Sequence, residues 1–108
     1  MSTQLYGIAD VGGKMVDFYI YAVRMDQAGQ HIESVQIIKN GKSLNDVTVN
    51  SRQFVAELIG SGLASFKTIT LVNNKWVYGA DVHVINDIFI TTDPNKTKID
   101  NLSHLPRF

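Results

Sequence analysis

At 108 residues the chain has room for one compact core and is too short for two ordinary domains. A hydrophobic fraction of 44% beside 19% charged residues places it among folded domains, and ten basic residues balance ten acidic ones, so no net field draws it onto nucleic acid or an anionic membrane. The absence of cysteine excludes a disulfide framework, a thiolate metal site and a cysteine nucleophile, and no apolar run approaches the roughly 18 residues of a membrane span.

Residues 1–15 lack the basic and apolar blocks of a secretory signal, and the expected location is therefore the cytoplasm. Their short apolar piece, Leu5 to Ile8, followed by Gly12-Gly13, reads as an N-terminal arm or edge strand ahead of one domain over 16–108. From Val16 to Met25 both alternating faces are β-branched or aromatic, which predicts a central strand covered on each side. Asp26 to Gln30 has turn chemistry, and Ile32 to Ile38 returns as the partner strand of a hairpin.

Asn40-Gly41 marks the next turn. Beyond it, Asn50 with Gln53 three positions on predicts a capping box, and Val49 with Phe54 a hydrophobic staple, so a helix is expected to open at Ser51. Phe54, Val55, Leu58 and Ile59 share one face at helical spacing, and Gly60 or Gly62 supplies the left-handed stop. Phe66 to Val72, Lys75 to Ile85 and Ile88 to Thr92 then read as three strands, joined by Asn73-Asn74 and Asn86-Asp87, residue pairs that tolerate positive φ. In the middle strand Trp76, Tyr78, Ala80, Val82 and Val84 form the expected core face. The predicted class is α+β: a small antiparallel sheet, hairpin plus three-stranded meander, with one amphipathic helix packed on a face.

The polar stretch Asp93 to Phe108 would ordinarily fray, yet Ile99, Leu102 and Leu105 can pin it to the sheet while Pro94 and Pro106 restrict it. Asp93, Asp100 and Asn101 suit hydrogen bonds to turn backbone, so the segment is expected to act as a structural clasp built on Asp93, Pro94, Asp100, Asn101, Leu102 and Leu105. Tyr19-Ile20-Tyr21-Ala22-Val23-Arg24, Ser51-Arg52 opening a helix, Gly79-Ala80-Asp81-Val82-His83-Val84, and the ending Thr92-Asp93-Pro94 followed by Asp100-Asn101-Leu102-Ser103-His104-Leu105-Pro106 together resemble a family of small bacterial proteins known only as a domain of unknown function. The resemblance runs from about Asp17 to Phe108 and implies one compact domain, with the arm before Asp17 as an addition. It implies no reaction, substrate or cofactor.

Chemistry-bearing residues are sparse. His31, His83 and His104 have no shared ligand spacing, so no metal is expected. Asp93, Asn95, Thr97 and Asn101 echo a calcium loop, but Lys98 and His104 stand where its glycine and bidentate glutamate belong. Ser51, Ser103 and the carboxylates Asp81, Asp87, Asp93 and Asp100 offer material for hydrolysis without a nucleophile constellation. Gly12-Gly13-Lys14 lacks the remaining features of a phosphate loop, and no cofactor is expected. Tyr19, Tyr21, Arg24, Lys39, Lys67, Lys75, Trp76 and Tyr78 are the best material for a basic, aromatic sheet surface of the kind that stacks single-stranded nucleic acid. Arg24, Arg52 and Arg107 serve equally well as structural partners of carboxylates such as Asp81 or Asp100. The expected function is therefore a non-catalytic binding module, an adaptor or inhibitor whose partner is another protein or a second copy, with no role at a membrane. The alternatives are a single-stranded nucleic-acid binder and a small Asp/His hydrolase.

Overall fold

The computed structural model describes residues 16–86, 88–92, 102 and 105–108. Two extended runs, β1 (Phe18–Met25) and β2 (Ile32–Lys39), pair antiparallel around a turn in which the Asp26 carboxylate accepts the Gln30 N–H at 3.0 Å and Gly29 takes φ +71°. After a short 3₁₀ turn at Leu44–Asp46, β3 (Thr48–Ser51) adds to the far side of β2, and the chain passes directly into α1 (Arg52–Gly60). Then follow β4 (Phe66–Val72), β5 (Lys75–Asp81), β6 (His83–Ile85) and β7 (Phe89–Thr91). The first five strands form one sheet in the order β3-β2-β1-β4-β5, and β6 and β7 form a separate two-stranded ribbon.

The class is α+β, and within it the main sheet is mixed. β4 lies parallel to β1 with Phe18 opposite Phe66, because β3 and α1 carry the chain across one face before it returns. Asp17 and Ser65 set that register: the Ser65 N–H donates to the Asp17 carboxylate at 2.8 Å, and the Asp17 and Phe18 N–H groups donate to the Ser65 carbonyl. The expected meander is split. The β4–β5 hairpin closes on Asn73 and Asn74, both at positive φ, but the chain leaves the sheet at Val82, and β6 pairs only with β7. Val82 and Val84 thus leave the face shared by Trp76 and Tyr78 and join the core beneath α1, while Ala80 is exposed.

The helix opens one residue later than the sequence predicts. Asn50 stays in the β2–β3 ladder opposite Val35, so the cap passes to Ser51, whose Oγ accepts the Phe54 N–H at 3.0 Å. The expected staple is absent, with Val49 and Phe54 both exposed, and the buried helix positions are Val55 and Ala56, with Leu58 and Ile59 half-buried beside them. At the other end Gly62, at φ +72°, donates to the Ile59 carbonyl and Leu63 to that of Leu58, the double bond of a Schellman stop. Replacing Ser51 by alanine should cost about 0.5–2 kcal/mol in chemical denaturation, whereas Asn50→Ala should be near neutral.

Among the described residues two apolar clusters flank the sheet. Ile20, Val23, Val35, Ile37 and Phe66 meet Val55 and Ala56 of α1 and Ile90 of β7, and Leu102 and Leu105 are buried in the same cluster. On the other face Val16, Tyr19, Ile38 and Ile69 form a smaller cluster with Leu44 and Val47 from the 3₁₀ turn. β4 pairs with β1 only as far as Ile20; further along, the Val23 N–H donates to the Pro106 carbonyl at 2.9 Å and the Val23 carbonyl accepts the Phe108 N–H at 3.0 Å. Asp93, Pro94, Asp100 and Asn101 of the expected clasp, and the arm over residues 1–15, lie outside the described residues.

Candidate binding face

The sheet face turned away from α1 gathers most of the aromatic side chains singled out in the sequence. Tyr19 is fully buried and its ring meets Tyr78 at 5.5 Å between centroids. Beside them Tyr21 meets Trp76 edge-on at 5.8 Å. Tyr21 shares the face of Tyr19 by strand alternation, and the β-bulge where Ile20 and Ala22 of β1 oppose the consecutive residues Ile37 and Gln36 of β2 returns Val23 to the helix-side core. Tyr21, Trp76 and Tyr78 are each half-buried, with their inner edges in the smaller core.

The cations are distributed differently. Lys67 is level with Tyr19 across the parallel ladder, but its ammonium pairs with Asp81 at 2.7 Å, the carboxylate of the residue opposite it on β5. The Arg24 guanidinium lies 4.6 Å from the centre of the Phe108 ring and its Nε donates to the Phe108 carbonyl at 3.4 Å, an arrangement that fixes the tail rather than a ligand. Lys75 is exposed at the hairpin tip and Lys39 at the end of β2. The structure thus brings Tyr19, Tyr21, Trp76, Tyr78 and Lys67 together, leaves Lys75 at the rim, and assigns Arg24 to another contact.

Sequence reasoning did not find the apolar end of the β4–β5 hairpin. α1 packs on β2, β3, β6 and β7, so the outer hairpin keeps Leu71 at 38%, Val72 at 51% and Val77 at 47% exposure. Leu71 sits opposite Trp76 in the ladder, whereas Val72 and Val77 point to the reverse face. The sequence reading named no buried face for Phe66 to Val72, and only the helix placement shows which strands lack a cover.

An open cleft of about 460 Å³ lies between the β1–β2 turn, the start of α1 and β7; Asp26, His31, Glu33, Arg52 and Phe89 contribute to its walls. His31 stacks on Phe89 at 5.4 Å, and Arg52 donates through Nη1 to the Ile88 carbonyl at 2.6 Å. The Gln30 N–H holds the Asp26 carboxyl below the usual carboxylate range, so its contribution to the turn is complete above the ordinary pKa and is lost as pH falls through the lowered one. These residues come from four separate elements and carry no common spacing.

For the hydrolytic reading, the Ser51 hydroxyl is committed to the helix cap and Asp81 to Lys67. His83 is exposed on β6, while His104, Ser103, Asp87 and the calcium-loop residues lie outside the described residues. Among the described residues no three His, Cys, Asp or Glu side chains gather as a metal site, and no helix is long and apolar enough to cross a membrane.

A family model described as "Protein of unknown function (DUF3892)" matches residues 19–106, which is most of the chain. The chain belongs to the DUF3892 family. Neither a curated protein nor a solved structure matches it. The DUF3892 match takes in α1 and the aromatic face, and it ends at Pro106, whose carbonyl accepts the Val23 N–H; Arg107 and Phe108 lie beyond it.

Proposed function

We propose that this DUF3892 domain is a non-catalytic binding module of the bacterial cytoplasm that engages a protein partner through the β4–β5 hairpin and the aromatic face beside it. The observation that carries the reading is the apolar end of the β4–β5 hairpin, where Leu71 is exposed on the face of half-buried Tyr21, Trp76 and Tyr78 and Val72 and Val77 are exposed on the reverse face. Large apolar and aromatic side chains clustered at one end of a rigid sheet match the anchors that dominate protein interfaces. The pairing of Lys67 with Asp81, and the balanced overall charge, favour a protein over a phosphate backbone.

The test uses full-length protein as bait in lysate of its native host, alongside a Val72→Lys, Val77→Lys variant. Both positions are exposed, so the variant should melt within a few degrees of the wild type. Bound proteins should survive nuclease treatment and drop at least tenfold with the variant; equal capture by both baits would refute the hairpin as the docking element. The aromatic set also motivates a second reading, stacking of single-stranded nucleic acid. Anisotropy with labelled single strands separates the two: the protein-partner reading expects no binding at low salt and micromolar protein, and steeply salt-dependent binding would replace it.

A further inference from the structure

On the helix side of the sheet, away from the aromatic face, α1 leaves a pocket of about 150 Å³ against the first residues of the strands. Its walls are the rings of Phe18, Phe54 and Phe66 and the aliphatic side chains of Ile37 and Leu58, with Thr48 and Asn50 of β3 as the polar residues of its lining. The Phe18 and Phe66 rings are themselves stacked at 5.2 Å, a consequence of the parallel pairing that sets these residues side by side. The volume is about that of an apolar cavity able to hold one benzene ring. It is too small for a nucleotide or a cofactor and falls below the range of roughly 300–1,000 Å³ usual for larger ligands.

The polar groups narrow the chemistry further. The Asn50 amide nitrogen donates to Thr48 Oγ1 at 3.0 Å, and Thr48 Oγ1 lies 3.5 Å from the Ile37 carbonyl. With its nitrogen directed to Thr48, the acceptor that Asn50 can offer a ligand is Oδ1. Among the described residues the lining contains no charged residue, which disfavours an ionised guest. Phe54, at the start of α1, is 48% exposed and so has room to shift its ring over an incoming molecule.

We propose that this pocket binds a small neutral aromatic molecule bearing one hydrogen-bond donor, of the phenol class, with the ring among Phe18, Phe54 and Phe66 and the hydroxyl on Asn50 Oδ1. The site is independent of the hairpin, and its ligand need not affect the protein partner.

The experiment is a titration of full-length protein with p-cresol and with toluene, followed on the methyl resonances of Ile37 and Leu58. Saturable ring-current shifts centred on those methyls are expected, with Kd for p-cresol on the order of 10⁻⁴–10⁻³ M. p-Cresol should bind about three- to tenfold more tightly than toluene. Thr48→Phe places a ring across the mouth at an exposed strand position, so the fold should hold while the shifts disappear. Asn50→Leu should abolish the preference for p-cresol and leave toluene binding intact. Absence of saturation, persistence of the shifts in Thr48→Phe, or a retained preference in Asn50→Leu would overturn the assignment. So would binding of N-acetyl-tyrosinamide without p-cresol, which would give the pocket to a partner's side chain instead.

Discussion

Leu105→Ala is expected to destabilise the protein by about 2–5 kcal/mol, the usual cost of emptying a buried leucine site. Leu105 is only 3% exposed and Leu102 only 1%, and both lie in the cluster that contains Val55 of α1 and Ile90 of β7. Replacing the isobutyl group by methyl leaves a void bordered by strands and helix that cannot all close on it. For a domain of this size the melting temperature should fall by about 4–8 °C for each kcal/mol lost. Arg107→Ala is the contrasting variant. Its side chain is exposed, and the adjacent bonds to Val23 run through the main chain of Pro106 and Phe108, so its effect should stay within about 0.5 kcal/mol. Denaturant unfolding measures both, and a Leu105→Ala variant as stable as Arg107→Ala would end the idea that this segment clasps the domain.

Gly79→Ala is expected to cost about 1–3 kcal/mol, although it adds one methyl group at a position with exposed backbone. The β4–β5 ladder pairs Lys67 with Asp81 and Ile69 with Tyr78, so Gly79 and Ala80 bulge opposite the single residue Thr68. The buried Thr68 hydroxyl occupies the space above Gly79 and accepts the Ala80 N–H at 3.2 Å; a Cβ on Gly79 would collide with that oxygen. Thr68 has backbone on both sides and cannot swing clear without giving up the bond. The collision predicts strong coupling. Thr68→Ala alone should destabilise by exposing an unmet N–H, but combined with Gly79→Ala it should cost less than the two single changes added together. Strict additivity in that cycle would mean that the steric account is wrong.

Much of the fold was legible where one local signal sufficed. The Asp26–Gln30 turn, the Asn73-Asn74 hairpin and the Gly62 stop each follow from residues that accept an unusual φ, and the structure places φ > 0 at Gly29, Asn73, Asn74 and Gly62. The start of α1 was displaced by one residue because Ser51 and Asn50 are both good caps, and the choice between them is made by the pairing of Asn50 with Val35 on another strand. Parallel pairing of β1 with β4 was illegible for a similar reason: the Asp17–Ser65 bonds that fix it join residues 48 positions apart. The aromatic face was half legible. Alternation identified Trp76 and Tyr78, but it could not show that Tyr19 would be sealed inside, that Tyr21 would meet Trp76 edge-on, or that Lys67 would be neutralised by Asp81.

The division of one edge of β1 between two parallel neighbours also bears on how the chain folds during synthesis. The Arg24–Phe108 contact spans 84 positions, and the main-chain bonds from Val23 to Pro106 and Phe108 close the same long loop. At translation rates of roughly 5–20 residues per second, those 84 positions take about 4–17 s to emerge after β1, during which half of its edge has no native mate. A nascent chain in that interval exposes main-chain donors and acceptors flanked by Val23 and Ala22, a template that other nascent copies can extend. Final closure is therefore a late, non-local event, and its loop length sets a slow step that the β1–β2 hairpin by itself does not impose.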